Sequence, residues 1–513
     1  MISDQPIKDV VNVGCFAHRT RYFILILGSL CISLISSNMI TYNFTKICML
    51  PLKYPLASAD GITYTQFENS ALMWAVGVGT LIAAWPFQIF YEMFGARLVF
   101  FIAGMLSTVA TAIIPYLAQK TFNGFIFARF VQGLSFGADF AAIGLLTVRW
   151  ASLKQHGLFV GLLTSFSQIS VIITMPLSGE LCESSFGWPS VYYIHALLSA
   201  FFFLMWFICY RDDPSLHPTV TDVELEKIRR GKSEAEQKVH IKTPYKKILL
   251  HPIMWSVWLS AMGELMTSQF IVMYGPTYLK EVLGFGVAHT GYFVALPRAL
   301  HFFFKVASGI ASDKIKFLSE RVKMIIANTI ALMVSGILFL GLGFLSRDVA
   351  YYALGLLMAI ELTTGFVCAG FYKCATLVAR QYSHFVLSQI QFIKCLSLFV
   401  EPALVAIFIR NNTLTEWRTV FIIHAVTLII GNIVFCMVAT DKPASFTQEE
   451  EKNLKDVKTT GKLTRELVKV ILQSSSTFHF YMNHKERNSV NLEVTNLIQE
   501  RMMVLECLLY LHH

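Results

Sequence analysis

The chain has 513 residues, of which 55% are hydrophobic and 15% are charged, and its formal net charge is +9. This composition is too apolar for a soluble globular domain and indicates an integral membrane protein. The positive charge does not predict nucleic-acid binding, because lysine and arginine are grouped at the ends of apolar runs and in one central polar segment, which is typical of membrane topology.

Twelve apolar runs of about 20 residues predict an all-α membrane protein, since this length of helix spans a bilayer. The first run, 22–41, follows a polar start and has no small-residue cleavage site after it, so we interpret it as a transmembrane helix rather than a signal peptide. The other runs lie near residues 70–90, 97–117, 121–148, 157–179, 189–210, 253–276, 288–311, 323–345, 349–372, 385–409 and 419–439.

A polar, lysine- and arginine-rich segment at 211–252 separates the sixth run from the seventh. It divides the chain into two six-helix bundles, an arrangement typical of transporters built from parallel repeats. Within the segment after 440, residues 491–511 have the pattern of an amphipathic helix. The predicted parts are a cytosolic amino terminus (1–21), an amino-terminal bundle (22–210), a cytosolic linker (211–252), a carboxy-terminal bundle (253–440) and a cytosolic tail (441–513).

The distribution of basic residues predicts which side of the bundle faces the cytosol. Lysine and arginine concentrate on the side of the amino terminus and the linker, which the positive-inside rule assigns to the cytosol. The sequons at Asn43 and Asn411 then fall on the non-cytosolic side, where N-glycosylation takes place. Cys48 and Cys182 also lie near that side, which would allow a disulfide bond, although no spacing among the 10 cysteines resembles a metal site.

Charged residues inside the apolar runs are the candidates for function. Each would cost roughly 3 kcal/mol if it faced lipid, and seven would cost about 20 kcal/mol, more than the typical stability of a protein. Most of them must therefore face the bundle interior. They are Arg129, Asp139, Glu264, Arg298, Glu361, Lys394 and Glu401.

Two arginines are predicted at similar depth in opposite halves of the bundle. Arg129 and Arg298 would clamp the carboxylate or phosphate of a small anionic solute, because the planar guanidinium matches two oxygen atoms. The alternative is that Arg298 pairs with Glu264 or Glu361 and only holds helices together.

Lys394 is the second-choice ligand for the solute. It shares a helix face with Glu401, seven residues further on, and such spacing is also typical of a structural pair.

The buried carboxylates are candidates for ion coupling, because burial disfavours their charged form and favours binding of a proton. Glu264 and Glu361 are predicted to lie deepest, while Asp139 lies nearer the cytosol. Glu401 precedes Pro402, where a local helix distortion is expected. A proton, sodium or the membrane voltage alone would each be compatible with these residues.

A weak internal repeat predicts a cytosolic gate motif. Glu92 and Arg97 follow the second run, and Gly309 and Asp313 follow the corresponding region of the eighth. In each copy the carboxylate would interact with the positive amino-terminal end of the next helix and hold two helices together on the cytosolic side.

Several stretches resemble one branch of a known superfamily. Residues 129–137 (RFVQGLSFG) are similar to the fourth-helix pattern R-x-x-Q-G-x-x-E-G, and 187–193 (GWPSVYY), 276–279 (PTYL) and 417–421 (WRTVF) add to the likeness. The chain thus resembles the anion transporters of the major facilitator superfamily related to sialin, the vesicular glutamate transporters and the sodium-phosphate cotransporters. The resemblance covers roughly residues 20 to 445 and implies that superfamily's fold and secondary active transport of small organic or inorganic anions by alternating access.

The departures from that family restrict what is carried over. Phe136 stands at the position of the family's glutamate, Met73 at that of a second-helix histidine, and Thr41 near that of a first-helix arginine. The family's coupling acids are therefore not transferred to this chain, whereas Arg129 is. Glutamate and sialic acid are not assumed as substrates.

The dispersed polar groups form no nucleophile, base and orienting residue, so we expect no enzyme and no cofactor. The alternative to a transporter is a transporter-like sensor or scaffold that binds a solute without moving it, since the family's acids are lost. We expect a monomer in the plasma membrane or in a vesicular or lysosomal membrane, with the lipid bilayer and a small anion as partners.

Overall fold

The computed structural model describes residues 19–49, 64–152, 155–229 and 244–447. All regular secondary structure in these ranges is helical, which confirms the predicted all-α class. Six long helices form the amino-terminal half. They are α1 (Thr20–Thr45), α2 (66–94), α3 (96–120), α4 (Phe122–Gly137 and Asp139–Trp150), α5 (His156–Thr164 and Phe166–Glu183) and α6 (Gly187–Cys209).

Six further long helices follow the linker and form the carboxy-terminal half. They are α7 (Pro252–Thr277), α8 (Val287–Lys314), α9 (Glu320–Gly343), α10 (Arg347–Ala379), α11 (Ser383–Phe408) and α12 (Leu414–Val438). Within the described ranges, nine helices are long and apolar enough to cross a membrane by length and composition alone.

The reversal between α2 and α3 depends on Gly95. Its φ of 77° is a conformation that residues with a side chain rarely adopt, and an added Cβ would lie 2.6 Å from the Asp212 carboxylate. This carboxylate accepts hydrogen bonds from the backbone nitrogens of Ala96 (2.6 Å) and Arg97 (3.3 Å). A linker residue therefore caps the amino-terminal end of α3.

The gate motif predicted a carboxylate at the amino-terminal end of α3, and in the structure this carboxylate belongs to Asp212. The side chains of Glu92 and Asp313, which the motif singled out, lie outside the described residues. Arg97 donates from Nε to the carbonyl of Phe207 at 2.9 Å, so it fastens α3 to α6. Gly309 lies within α8 with no atom within 4 Å of an added Cβ, so close packing does not require a glycine there.

The two halves meet toward the end of the bundle that is predicted to be non-cytosolic. Five hydrogen bonds join described residues of the two halves there and hold this end of the bundle together. They join Lys46 to Met273, Ser70 to Pro402, Trp74 to Phe399, Glu180 to Tyr292 and Glu183 to Ala288.

The same end carries the two cysteines whose predicted placement on one side would allow a disulfide bond. Cys48 and Cys182 form a disulfide bond that ties the end of α1 to the end of α5. Of the two sequon asparagines, Asn43 is buried within α1 and Asn411 is exposed before α12. Only Asn411 therefore has the accessibility that glycosylation needs.

Candidate functional site

Arg129 on α4 is held by neutral partners from three helices. Its Nη1 donates to the carbonyl of Met39 and to Oε1 of Gln132, both at 2.7 Å, and its Nε donates to the carbonyl of Leu72 at 3.3 Å. The guanidinium carbon lies 5.2 Å from the ring centroid of Tyr42. The side chain is 2% exposed, yet no carboxylate of the described residues lies within 4.0 Å of it.

Close packing of α2 against α4 places Arg129 at this position. A Cβ on Gly79 would lie 2.3 Å from the carbonyl of Phe130, and one on Gly133 would lie 2.1 Å from that of Val76. Only glycine permits this approach, so these residues serve helix packing, as small residues commonly do in membrane bundles.

Gln132 extends the neutral network around Arg129. Its Nε2 donates to the carbonyl of Asn38 (2.9 Å) and to Oγ1 of Thr111 (2.8 Å), and Asn38 in turn donates to Ser107 Oγ at 3.0 Å. The network orients the guanidinium without cancelling its charge. Gln132 belongs to the R-x-x-Q-G pattern of residues 129–137, but its role was not predicted from the sequence.

Arg298 on α8 forms an ion pair with Glu361, one of the two partners that the alternative interpretation predicted. Its Nη2 lies 3.2 Å from Oε1 of Glu361, and both side chains are buried. Nη1 and Nη2 also donate to the hydroxyl and the carbonyl of Ser268, at 2.9 Å and 2.5 Å. Glu361 therefore already pairs with this guanidinium, whose Nε has no hydrogen-bond partner among the described residues.

His301 also contacts Glu361, and this histidine was not predicted from the sequence as part of the site. Its Nδ1 lies 3.6 Å from Oε2 of Glu361 and 3.0 Å from the backbone carbonyl of the same residue. The available signal was its position three residues after Arg298, which places both side chains on one helix face.

Glu264 and Lys394 belong to the same charged region. Glu264 on α7 is 6% exposed and interacts electrostatically with Lys305, Arg298, Glu361 and Lys394. Acidic and basic side chains from α7, α8, α10 and α11 therefore interact electrostatically in this region.

Lys394 on α11 reaches across to the amino-terminal half. Its Nζ lies 4.7 Å from the ring centroid of Phe166 on α5, a cation–π contact. The structural pair of Lys394 with Glu401 is not formed, because Glu401 faces His424, with 3.3 Å between Oε2 and Nε2. Their spacing along α11 was compatible with contact, but the rotation of the helix directs Glu401 toward α12.

Asp139 lies where α4 is interrupted, directly after Ala138. It is fully buried, and neither carboxylate oxygen has a hydrogen-bond partner among the described residues. It interacts electrostatically with Lys394 from the other half. The coupling candidates therefore fall into three places: the Arg298 region with Glu264 and Glu361, the break in α4, and the contact of α11 with α12.

Comparison with known proteins gives one family. The family model described as Major Facilitator Superfamily matches residues 22–402. The uncharacterised transporter slc-17.3 of Caenorhabditis elegans is 26% identical over 414 residues, covering 76% of this chain and 74% of the relative. Vesicular glutamate transporter 1 of Bos taurus is 24% identical over 467 residues, covering 86% and 81%.

Two solved structures have the same fold at low sequence identity. A bacterial homologue of the human lysosomal transporter Spinster, in an inward-facing and occupied conformation, has a TM-score of 0.62 at 12% identity, covering 81% of this chain and 96% of its own. A D-xylose-proton symporter also has a TM-score of 0.62, at 14% identity, with coverages of 82% and 98%. With a family match over residues 22–402 and this architecture, the chain belongs to the Major Facilitator Superfamily, and it is a multi-pass membrane transporter rather than an enzyme.

Proposed function

We propose that this protein moves small organic or inorganic anions across a membrane by alternating access between its two halves. The observation that carries the proposal is the buried guanidinium of Arg129, which has only neutral partners among the described residues. Leaving a buried charge unpaired costs several kcal/mol. A mobile anion that binds beside Arg129 restores the charge balance while it is bound.

The relatives support the anion as the class of solute. The vesicular glutamate transporters are named for an anionic amino acid. At the position where the family resemblance implies a fourth-helix glutamate, this chain has Phe136, which packs against Phe166 with 6.0 Å between ring centroids. Because this part of the site differs, the proposal names small anions as a class and not glutamate.

The proposed ligands come from both halves. Arg129 on α4 would bind two oxygens of a carboxylate or phosphate with its planar fork, and Lys394 on α11 would approach as a point charge from the other half. An anion held between them draws the halves together, which is how binding is linked to alternating access.

Arg298 would join the site only when Glu361 releases it. Protonation of Glu361 removes the negative charge that pairs with Arg298 at 3.2 Å, so the guanidinium becomes free to bind the anion. Proton and anion would then bind together, with Glu264 as the neighbouring carboxylate that shares the region. We propose Glu361 and Glu264 as the residues that couple transport to a proton, and Asp139 as a further buried carboxylate to test.

The second candidate function is a transporter-shaped sensor that binds an anion without moving it. It is favoured by Phe136, because an aromatic ring at the place of the family's acid leaves the fourth helix without that charge. Either function fits a plasma membrane or a vesicular or lysosomal membrane.

Reconstitution into proteoliposomes separates these functions. We would measure uptake and counterflow of labelled phosphate, glutamate and a set of monocarboxylates, with and without a pH gradient or an imposed voltage. Saturable uptake that requires Arg129 supports the transporter. Binding of an anion to the purified protein with no counterflow for any member of the set would favour the sensor, and indifference of both binding and uptake to Arg129→Ala would overturn the proposed site.

A further inference from the structure

A buried acid–base pair lies apart from the proposed anion site, between α11 and α12. Glu401 Oε2 and His424 Nε2 are 3.3 Å apart, and their residues are 0% and 1% exposed. Among the described residues, neither carboxylate oxygen and neither ring nitrogen has a hydrogen-bond partner of acceptable geometry. The only salt-bridge contact that either group makes with a described residue is with the other.

The surroundings of the pair are mostly aromatic. The His424 ring lies between Phe270, at 4.6 Å between centroids, and Phe339, at 5.7 Å. These neighbours from α7 and α9 can stack on the imidazole but offer it no strong hydrogen bond. Such an environment penalises any net charge.

Within the described part of the chain, few other titratable groups face the pair. Tyr274 on α7 interacts electrostatically with Glu401, and the Lys46 ammonium on α1 lies 4.2 Å from the centre of the Tyr274 ring. From α2, Ser70 and Trp74 present only neutral donors to this turn of α11, which bond to the carbonyls of Pro402 and Phe399. The ammonium of Lys46 is directed to the carbonyl of Met273 at 3.0 Å and not to Glu401.

The proton content of the pair determines its charge. With one proton shared between carboxylate and imidazole the pair is neutral overall, with none it is negative, and with two it is positive. Because burial opposes both charged forms, the sealed pair is held in its neutral, one-proton state. Loss of that proton requires water to reach the site.

The same turn of α11 forms the contact that closes the non-cytosolic end. Trp74 donates from Nε1 to the carbonyl of Phe399 at 3.0 Å, and Ser70 donates from Oγ to the carbonyl of Pro402 at 3.1 Å. Pro402 has no N–H to donate to the carbonyl of Leu398, so the regular helical hydrogen bonding is interrupted at this turn of α11. Glu401 lies between these two acceptors along the chain, on the side that faces α12.

We propose that Glu401 and His424 form a one-proton binding site that exchanges with the non-cytosolic compartment and controls opening of that end of the bundle. Opening separates α2 from α11, lets water reach the pair and permits deprotonation, and closure requires the proton again. Acidic non-cytosolic pH therefore favours the closed end, and alkaline pH favours the open one. The inference assumes the alternating access of the proposed function but not the identity of the anion.

The test measures accessibility of the contact rather than transport. Ser70→Cys places a thiol at the α2–α11 contact, and its modification by a membrane-impermeant thiol reagent from the non-cytosolic side is quantified at that site by mass spectrometry. Since thiol reactivity itself rises with pH, each rate is compared with that of the same reporter carrying Glu401→Gln. Glu281→Gln removes an exposed carboxylate at the end of α7 and is the matched control.

Between pH 5.5 and 7.5, the labelling rate of the Ser70→Cys reporter should rise about fivefold more than that of the same reporter carrying Glu401→Gln. This factor corresponds to a change of about 1 kcal/mol in the free energy between the closed and open ends. Glu281→Gln should keep this gain, and His424→Gln should lose it. If Glu401→Gln lowers the amount of folded protein, His424→Gln supplies the comparison. Equal pH dependence of labelling in all four proteins would overturn the inference. If labelling has the expected pH dependence but the protein transports none of the tested anions, only the proposed function is contradicted.

Discussion

Arg298 on α8 and Glu361 on α10 form a buried ion pair with 3.2 Å between Nη2 and Oε1. Arg129 in the other half has no such carboxylate among the described residues and is held by carbonyls and an amide. The two arginines that appeared equivalent along the chain thus differ in charge balance. This asymmetry supports the proposal that Arg129 is the permanent anion ligand and that Arg298 joins the site only when Glu361 releases it.

Removing one member of the Arg298–Glu361 pair should destabilise the protein more than removing both. Glu361→Gln leaves a buried cation without its counter-charge, which costs about 3–5 kcal/mol, and the double variant with Arg298→Gln should recover a large part of this loss. Thermal unfolding of the four purified proteins in detergent measures the cycle. Additive effects of the two substitutions would show that the pair does not exist in solution.

Substitution of Arg129 should abolish most anion uptake. Losing a charge-assisted hydrogen bond costs roughly 1.5–3 kcal/mol, so Arg129→Ala should reduce uptake about 10- to 100-fold. Arg129→Lys keeps the charge but loses the planar fork and should retain only part of the activity. The control is Lys120→Ala, which removes an exposed cation at the end of α3; equal losses in this control would mean that total charge, and not the site, matters.

Glu224 should fasten the linker to the first helix. It is fully buried, and its two oxygens accept hydrogen bonds from the backbone nitrogens of Thr20 (3.2 Å) and Arg21 (3.0 Å), at the amino-terminal end of α1. Glu224→Ala should lower the free energy of unfolding by about 1–3 kcal/mol, because it removes a helix cap and leaves buried donors unpaired. Glu226→Ala, an exposed acid on the same short helix, should have almost no effect in the same thermal assay.

At acidic pH, protonation of His217 should weaken the docking of the linker against the helix bundle. Burial holds the pKa of His217 below its ordinary value, and its neutral Nδ1 accepts from the backbone nitrogen of Thr219 at 3.3 Å. Above pH of about 6.5 the imidazole is neutral whether the linker is docked or released, so docking does not depend on this group there. As pH falls below that value the released form gains the proton more readily, and docking is progressively lost.

Hydrogen exchange of residues 214–229, corrected for the intrinsic rate, tests this expectation. Protection should decrease between pH 7.5 and 5.5 in the parent and change much less in His217→Gln. Protection that increases in acid would reverse the sign and contradict the assignment.

The sequence by itself determined the class of the molecule and its most unusual residue. A bilayer requires every spanning segment to satisfy its own backbone hydrogen bonds, so twelve apolar runs predict an all-α bundle from composition alone. For the same reason a charge inside such a run is conspicuous, and Arg129 was identified before its surroundings were known. The placement of Cys48 and Cys182 on one side allowed their disulfide, which the structure contains.

Only the tertiary structure decided which charged groups meet. Arg298 had two candidate partners and contacts Glu361, Glu401 turns from Lys394 to His424, and Asp212 caps the helix end for which the motif had suggested Glu92. The spacing of residues along a helix gives the face that they share, but not the rotation of that face relative to other helices. Partners that are distant in the chain therefore follow from how the helices pack, and this is decided by close contacts such as Gly133 against Val76 that no single segment contains.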